Sequence, residues 1–185
     1  MKKEIKQQSI LLFEEKGFSE TSIQDIVEAL GVTKGTFYYY FTSKEQLLMD
    51  IHLGYIDELL EHQEKIWQAQ LSNREKLVQL IALLITDIAN HGPSGKVFFR
   101  EMRHLCEENA VEVKRKREQF RKNLEKILCD GVAQHEFRQK IEPEIVAFAI
   151  LGITNWSYQW FNPSGEISAE HLADIYSDLI LNGIV

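Results

Sequence analysis

The segment Thr21–Leu48 constrains the fold more than any other part of the chain, because it combines helix starts, helix stops and a buried face at short spacing. Apolar residues recur at helical spacing from Ile23 to Leu30, so the first helix of the segment buries one side. Gly31 ends that helix, since glycine tolerates positive φ. Thr33 can cap a second short helix at once. The pattern predicts a helix-turn-helix.

The second helix of this pair has the chemistry of a DNA reader. Gly35 has no side chain, so the start of the helix can approach base edges in the major groove, where Thr36 can offer a hydroxyl and a methyl group. Lys34 and Lys44 can neutralise phosphates. Three consecutive tyrosines, residues 38–40, span about 200° of helical arc, so at least one faces solvent, where a phenol can bind a phosphate. The alternative is a helical hairpin with exposed tyrosines and no DNA partner.

The run GVTKGTFYYYFTSKEQLL, residues 31–48, is similar to the DNA-binding domain of the TetR family of transcriptional repressors. The resemblance implies operator binding as a homodimer and release by a small ligand. It implies the repressor role over an activator role as well. The candidate DNA-binding residues are Ser22, Gln24, Thr33, Lys34, Gly35, Thr36, Tyr38, Tyr39 and Lys44.

Hydrophobic periodicity predicts an all-α chain of about nine helices, since no segment alternates as a strand. A three-helix DNA-binding domain with the helix-turn-helix is expected over residues 1–48, and a helical-bundle domain for ligand binding and dimerisation over residues 49–185. Gly92-Pro93 is expected to separate a fifth helix, ending at about His91, from a sixth that starts at about Ser94. The eighth and ninth helices are expected over about 143–161 and from about 169 onward.

Composition narrows the partners. The chain has 185 residues, 44% of them hydrophobic, so it can bury a substantial core. A net charge of −7 argues against a nonspecific polyanion binder but suits a reader that confines its positive charge to one face. Cys106 and Cys129 have no metal-site spacing and are expected to be reduced thiols. The start of the chain lacks an apolar signal region, so we expect a cytoplasmic protein without a membrane partner.

Ile145–Ile153 is apolar on every side of its predicted helix. A surface helix needs only one apolar stripe, so this helix is expected to pack against its own core and against a second copy of the chain. The resemblance implies a dimer interface on the eighth and ninth helices. Two recognition helices would then lie one turn of DNA apart, about 34–36 Å, on a palindromic operator. The alternative is a central helix within a monomer.

Aromatic and apolar residues of the larger domain are candidates for a ligand cavity, together with two polar groups that could orient a ligand. Residues 93–122 carry nine Lys or Arg against five Glu, which favours an anionic ligand, whereas the alternative is a solvated helix face. Among the cations, Arg100 and Arg103 lie beside apolar residues and are the better candidates. The predicted ligand-binding residues are Phe98, Phe99, Met102, Arg103, Phe120, Phe148, Asn155, Trp156 and Trp160.

The segment 152–183, with its Asn-Trp-x-Tyr-x-Trp run and Pro-Ser-Gly turn, resembles a TetR subgroup that controls lipid or steroid degradation and responds to acyl-CoA thioesters. This resemblance makes an acyl-CoA thioester the leading effector. The alternative is a repressor of an efflux or detoxification system that responds to a neutral or cationic lipophile, with Glu101 and Glu107 as counter-charges.

An enzyme would need a catalytic constellation, and the sequence contains neither a phosphate loop nor a dinucleotide fingerprint. His104 and Cys106 point about 200° apart on a helix, so they cannot share a metal there. We therefore expect a non-enzymatic protein with no metal and no cofactor. An interaction protein without DNA binding is the other non-enzymatic interpretation.

Overall fold

The computed structural model describes residues 1–184, excluding the side chains of Asn109 and Ile184. Helices account for nearly all of the regular structure, and the described residues include no strand, so the predicted all-α class is confirmed. The helices are α1 (Lys2–Lys16), α2 (Ile23–Leu30), α3 (Lys34–Tyr40), α4 (Lys44–Gln68), α5 (Asn73–Arg100), α6 (Glu107–Ala133), α7 (Pro143–Trp160) and α8 (Ala169–Ile184), with a 3₁₀ turn at Glu101–His104.

The boundary between the fifth and sixth predicted helices coincides with a break inside α5. Two helical segments meet at His91, whose backbone is non-helical, and together they form α5, which ends at Arg100. His91 absorbs the bend with φ −125° and ψ 29°, and Pro93 then lies in the first turn after the kink, where a missing N–H costs little. The described chain therefore has eight α-helices, and the break at His91 within α5 lies where the sequence analysis separates its fifth helix from its sixth.

Local sequence signals mark three helix starts. Ser72 and Glu75 exchange hydrogen bonds before α5, with the Ser72 N–H donating to Glu75 Oε2 at 2.9 Å. Pro143 occupies the first turn of α7. The Ser168 hydroxyl accepts a hydrogen bond from the His171 N–H at 3.1 Å, ahead of α8. Local sequence chemistry therefore determines where these helices begin.

The chain forms two compact units. Unit 1 comprises Met1–Asp57 and Pro93–Arg115, and unit 2 comprises Glu58–Gly92 and Lys116–Val185. Helices α4, α5 and α6 each run from one unit into the other. The boundaries of these units differ from those of the predicted DNA-binding domain, residues 1–48, and the predicted ligand-binding and dimerisation domain, residues 49–185. That functional division stays a prediction.

Each unit has its own buried side chains. In unit 1 the core includes Phe13, Ile26, Phe37 and Phe98, all at most 2% exposed. In unit 2, apolar residues of α5, α7 and α8 pack with Phe161 at the end of α7. That cluster contains Ile85, Ile88, Phe161, Leu172 and Ala173. The core of unit 1 fixes the helix-turn-helix, and the core of unit 2 fixes the α7–α8 pair.

Candidate nucleic-acid interface and ligand-binding residues

Helix α2 is held at both ends by residues that the sequence analysis singled out. The Ser22 N–H donates to Asp25 Oδ2 at 2.7 Å, and the Asp25 N–H donates to Ser22 Oγ at 3.1 Å. Hydrogen bonds from the Ser22 side chain and backbone lower the pKa of the Asp25 carboxyl. Gly31 closes the helix in the left-handed conformation, with φ 66° and ψ 30°. The turn between α2 and α3 is thus set by local hydrogen bonds and one glycine.

Helix α3 is held by its N-cap and by two aromatic side chains on its buried side. Thr33 is its N-cap, and its hydroxyl accepts a hydrogen bond from the Thr36 N–H at 3.3 Å. Phe37 and Phe41 are fully buried, with their ring centroids 5.8 Å apart. The buried side of α3 therefore holds one fixed orientation, and the opposite side is left for a partner.

The outward side of α3 has the composition that the sequence analysis predicts for a DNA reader. Tyr39 is 81% exposed and Tyr38 is 54% exposed, which confirms that the tyrosine run cannot all be core. Thr33, Lys34 and Gly35 are exposed as well. A Cβ added at Gly35 would lie 3.5 Å from Thr33 Oγ1, an ordinary contact, so internal packing does not require this glycine. A close approach by an external surface would require it.

The two residues predicted on α2 differ in their surroundings. Ser22 is exposed but committed to the cap of α2, where its hydroxyl donates to Asp25 Oδ2 at 2.7 Å. Gln24 is exposed, and its Nε2 donates to Glu28 Oε1 at 2.6 Å along the helix. Both side chains lie at the solvent surface of α2, and neither is part of the core.

Lys44 holds the connection between α1 and α2. Its Nζ donates to the carbonyl oxygens of Phe18 and Thr21, each at 2.6 Å, and lies 4.4 Å from the centre of the Phe18 ring. Partial burial lowers the pKa of its ammonium group. This geometry favours a positioning role for Lys44 over the phosphate contact that the sequence analysis predicts.

The sequence analysis missed Lys2 as a neighbour of the recognition helix. Its Nζ lies 5.3 Å from the centre of the Phe41 ring, which closes α3, and 3.5 Å from Asp50 Oδ1 on α4. The N-terminus of α1 therefore brings a cation beside the end of α3. The only sequence signal for it is the Lys2-Lys3 pair at the start of the chain.

A second missed feature is a clamp on the C-terminal end of α1. Arg100 Nη2 donates to the carbonyl oxygens of Phe13 and Glu14, and Arg100 Nε donates to Glu101 Oε1 at 2.7 Å. Lys96 Nζ also contacts Glu14 Oε1 at 2.8 Å. The partners are more than 80 residues apart, so no local pattern could have indicated the pairing. Arg100, which the sequence analysis favoured as an anion ligand, is used here within unit 1.

Four of the predicted ligand-binding residues lie in unit 1. Phe98 is in the core, with its ring centroid 4.6 Å from that of Tyr55, and Phe99 meets Phe98 edge-on at 5.3 Å. Met102 is half-buried in the 3₁₀ turn. Arg103 is exposed, and its Nε donates to His104 Nε2 at 3.3 Å.

The other five lie in unit 2. Phe120 is buried on α6, and its carbonyl accepts a hydrogen bond from Gln63 Nε2 at 2.9 Å. Asn155 is half-buried. Three aromatic residues of α7 are exposed in the single chain, and Trp156 has the greatest exposed fraction, 65%. These three are Phe148, Trp156 and Trp160. Their assignment to a ligand cavity stays a prediction.

Arg121 shows how the basic stretch of residues 93–122 is used inside unit 2. Its guanidinium donates to Glu118 Oε1 at 2.6 Å and to Glu125 Oε2 at 2.8 Å, and it lies 4.8 Å from the centre of the Phe148 ring. The hydrogen bonds from Arg121 to Glu118 raise the pKa of its guanidinium group. At this position the predicted positive charge is thus paired with carboxylates of the same helix.

Glu101, named in the sequence analysis as a counter-charge for a cationic ligand, is only 1% exposed. Its oxygens lie 2.7 Å from Arg100 Nε and 3.3 Å from His104 Nε2. A buried carboxylate that already accepts a hydrogen bond from Arg100 has little attraction left for a second cation. This pairing weakens the efflux-type alternative.

Within the described residues, no three His, Cys, Asp or Glu side chains are grouped so that they could hold a metal ion. The same residues include no helix that is long and apolar enough to cross a membrane. What the structure does present is a compact helix-turn-helix with an exposed, cationic and aromatic second helix. That combination defines a DNA-binding transcriptional regulator of the helix-turn-helix class.

Two family models match the chain. The model described as "Bacterial regulatory proteins, tetR family" matches residues 8–51, and the one described as "Tetracyclin repressor-like, C-terminal domain" matches residues 70–184. The chain belongs to the TetR family of transcriptional regulators. It is accordingly a regulator and not an enzyme, as the sequence analysis predicts.

Individual relatives support this placement. The chain is 29% identical over 175 residues to the HTH-type transcriptional repressor KstR2 of Rhodococcus jostii, covering 94% of this chain and 85% of the relative. The TetR family regulator PfmR of Thermus thermophilus is 32% identical, with a TM-score of 0.90 and coverage of 96% and 97% of the two chains. AibR, solved with isovaleryl coenzyme A and operator DNA, has a TM-score of 0.87 over 96% of each chain at 23% identity, and thus shares the fold.

Proposed function

We propose that this TetR family protein is a homodimeric, cytoplasmic repressor that binds a palindromic operator and leaves it when an acyl-CoA thioester binds. The observation that carries the DNA half of the proposal is the outward face of α3. Its basic and aromatic side chains are exposed on a helix whose opposite side is locked by Phe37 and Phe41. Lys34 and Tyr39 are proposed to contact phosphates, while Gly35 and Thr36 approach the base edges.

The proposal of a homodimer rests on the apolar face of α7 and α8. Six large apolar side chains on these helices are exposed in the single chain, with Trp156 at 65% and Leu179 at 60%. On α7 they recur every three or four residues together with the exposed Gly152, so they form one stripe. The stripe consists of Ile145, Phe148, Trp156, Trp160, Ile175 and Leu179.

An apolar stripe of this kind marks an interaction site on a globular protein. We propose a second copy of the chain as its occupant, through α7 and α8, the eighth and ninth helices of the sequence analysis. A dimer with a two-fold axis at this interface has two copies of α3. Each copy would bind one half-site of an operator whose half-sites are about 34–36 Å apart. Gly152, with no heavy atom within 4 Å of an added Cβ in the single chain, would let the two helices approach closely.

The effector proposal rests on similarity. The chain is similar to the repressor KstR2 over nearly its whole length, and AibR, which shares the fold, was solved with isovaleryl coenzyme A. An acyl-CoA thioester also suits the two chemistries of the predicted ligand set, since its phosphates need a cation such as Arg103 and its acyl chain needs apolar side chains. We propose that the effector acts through α4, which runs without a break from unit 1 into unit 2.

The experiment measures binding of the purified protein to the DNA upstream of its own gene, with and without a series of acyl-CoA thioesters of increasing acyl length. Specific binding that one thioester releases supports both halves of the proposal. Specific binding that no thioester changes, but that an uncharged or cationic lipophile releases, contradicts the effector assignment and favours the efflux-type repressor. Free coenzyme A is the control for the acyl group.

A further inference from the structure

His104 lies where two neighbours make opposite demands on one nitrogen atom. Its Nε2 is 3.3 Å from Arg103 Nε, which carries a hydrogen and can only donate. The same Nε2 is 3.3 Å from Glu101 Oε2, a carboxylate oxygen that can only accept while ionised. All three residues belong to the 3₁₀ turn between α5 and α6.

Only one of these two hydrogen bonds can exist at a time. An imidazole nitrogen has a single in-plane position, filled either by a lone pair or by a hydrogen. With a lone pair, Nε2 accepts from Arg103 and repels the carboxylate of Glu101. With a hydrogen, as in the protonated ring or in the neutral Nε2–H tautomer, Nε2 donates to Glu101 and repels the guanidinium of Arg103. The hydrogen bond from Arg103 Nε to Nε2 is the contact of the neutral Nδ1–H tautomer, and protonation of that tautomer at Nε2 exchanges Arg103 for Glu101 as the partner.

The carboxylate in question is the centre of the clamp on α1. Glu101 is 1% exposed, and its other oxygen accepts from Arg100 Nε at 2.7 Å. Arg100 in turn holds the carbonyl oxygens of Phe13 and Glu14 in the last turn of α1. The effective dielectric constant around a buried carboxylate is low. A charge gained or lost by the His104 ring therefore interacts more strongly with Glu101 than it would with a carboxylate at the surface.

The surroundings leave room for Arg103 to move. A cavity of about 340 Å³, open to solvent, is lined by the 3₁₀ turn, the end of α1 and the α1–α2 connection. The Phe18 ring packs on the His104 ring with centroids 5.2 Å apart, and Lys44 Nζ lies 4.4 Å from the centre of the Phe18 ring. Among the charged groups near His104, Glu15, Lys16 and Glu20 line the α1 side of the cavity, and Arg100, Glu101 and Arg103 line its other side. From α4, Lys44 lies behind Phe18, and Glu45 Oε1 accepts a hydrogen bond from the Cys106 N–H at 2.9 Å.

We propose that His104 is a proton-operated switch in the clamp that joins the 3₁₀ turn to the DNA-binding helices. In the neutral Nδ1–H tautomer His104 accepts from Arg103, and Glu101 relies on Arg100 alone. In the protonated state His104 donates to Glu101 and strengthens the clamp, while Arg103 turns toward the cavity, whose lining includes the carboxylates of Glu15 and Glu20. Histidine is suited to this role because it is the side chain that ordinarily changes charge between pH 5 and 8.

The consequence for regulation rests on the proposed function. A clamp that holds the end of α1 more firmly changes the freedom of the helix-turn-helix, so operator affinity should depend on pH through His104. The switch itself needs no DNA, so it is tested first on the protein alone.

The first experiment follows the full-length protein by NMR from pH 8 to pH 5.5, using the ring signals of His104 and the side-chain Nε–H signal of Arg103. Both signals should change with one common midpoint, and the Arg103 Nε–H should exchange faster with water at the acidic end. If Arg103 does not respond while His104 titrates, the switch is ruled out.

Two variants separate a switch from an ordinary surface histidine. Arg103→Gln removes the competing cation and should move the His104 midpoint upward by about 0.5 pH unit, while Glu101→Gln should move it downward by a similar amount. Arg103 is exposed, so its variant is expected to fold even if the variant at the buried Glu101 does not. An unchanged midpoint in Arg103→Gln would overturn the proposal.

The second experiment measures the operator dissociation constant at pH 8 and at pH 6 for the wild type, for His104→Gln and for the control His62→Gln. Glutamine can accept from Arg103 but cannot gain a proton, so His104→Gln should lose a pH dependence of about threefold that the wild type and the control keep. Equal pH dependence in all three contradicts the regulatory role. Failure to find any operator contradicts the proposed function instead. The NMR experiment needs no DNA, so its result tests the His104 switch independently of the operator.

Discussion

Lys44 and Phe18 are joined twice, through a hydrogen bond of 2.6 Å from Lys44 Nζ to the Phe18 carbonyl and through the Phe18 ring, whose centre lies 4.4 Å from the same nitrogen. The carbonyl of Thr21 accepts a second hydrogen bond from Lys44, also at 2.6 Å. One side chain at the start of α4 thereby fixes the connection from which α2 begins. A lysine that looks like a phosphate contact in the sequence holds the backbone in the structure.

This geometry separates two lysines that look alike in the sequence. Lys44→Met should lower the free energy of unfolding by about 1.5 kcal/mol, since it removes hydrogen bonds from a charged group, and should weaken operator binding as a result. Lys34→Ala should weaken operator binding with an unchanged unfolding midpoint. Urea unfolding and DNA titration at the same protein concentration measure both effects. A Lys44→Met protein of wild-type stability would contradict the positioning role.

Tyr39 should act through its hydroxyl group and contribute nothing to the core. Because the side chain is 81% exposed, both Tyr39→Phe and Tyr39→Ala should leave thermal stability unchanged. Both should weaken operator binding, and the phenylalanine variant should lose most of what the alanine variant loses if the hydroxyl binds a phosphate. Phe37→Ala is the contrasting variant, since this fully buried residue should cost about 3–5 kcal/mol of stability.

Salt dependence provides a separate test of the phosphate contacts. The logarithm of operator affinity should fall linearly with the logarithm of salt concentration, and Lys34→Ala should reduce the slope by about 2, because the dimer loses one phosphate contact from each copy. A complex that does not respond to salt would rule out the proposed phosphate contacts of α3, whatever its affinity.

The dimer proposal predicts a difference between two exposed aliphatic positions. Leu179 on α8 is 60% exposed within the proposed interface, and Val111 on α6 is 64% exposed outside it. Leu179→Glu should shift the protein from dimer to monomer in analytical ultracentrifugation, because it buries a charge against the partner. Val111→Glu should leave the dimer intact. Two variants that sediment alike would remove α8 from the interface.

Glu136 provides a pH-dependent contribution to stability. Its carboxylate accepts hydrogen bonds from the Asn73 and Arg74 N–H groups and from Asn73 Nδ2 at the start of α5. Burial acts to raise the pKa of this carboxyl, but the hydrogen bonds from Arg74 and Asn73 leave it lowered overall. Such a carboxyl stabilises the folded protein at pH values above its pKa in the unfolded chain. This contribution disappears as the pH falls through its pKa in the folded protein.

Glu136→Gln should therefore cost about 1 kcal/mol at pH 7, the usual size of a helix cap, and much less at pH 3. Chemical unfolding at both pH values and at one protein concentration checks this. Glu166→Gln, at an exposed turn position, serves as the control and should be close to neutral at both. A Glu136→Gln penalty that is the same at pH 3 and pH 7 would show that ionisation of this carboxyl is not what caps α5.

The sequence predicts the fold where the information is local. The cap at Thr33 and the left-handed Gly31 both appear as expected, because each depends on residues within one helical turn. The outward tyrosines follow from helix geometry alone. The break in α5 at His91 also lies at the predicted Gly92-Pro93 boundary, because a proline removes a backbone donor and disrupts the helical turn before it.

What the sequence could not predict depends on residues that are distant along the chain. Arg100 reaches the end of α1 across more than 80 positions, and Glu136 caps α5 from more than 60 positions away. Charge counting along residues 93–122 treated each cation as available, whereas Arg121 and Arg100 are each paired with neighbouring carboxylates. The composition of a segment gives the sign of its net charge. Only the folded structure shows which of those charges are paired with other residues of the protein.

The most direct test of the central claim is a footprint of the purified protein on the DNA upstream of its own gene, compared with the Lys34→Ala variant. A dimer that reads DNA through α3 should protect two symmetric half-sites about one helical turn apart, and Lys34→Ala should lose both together. No protection at any salt concentration, or protection that Lys34→Ala leaves unchanged, would contradict the assignment of α3 as the DNA-reading helix.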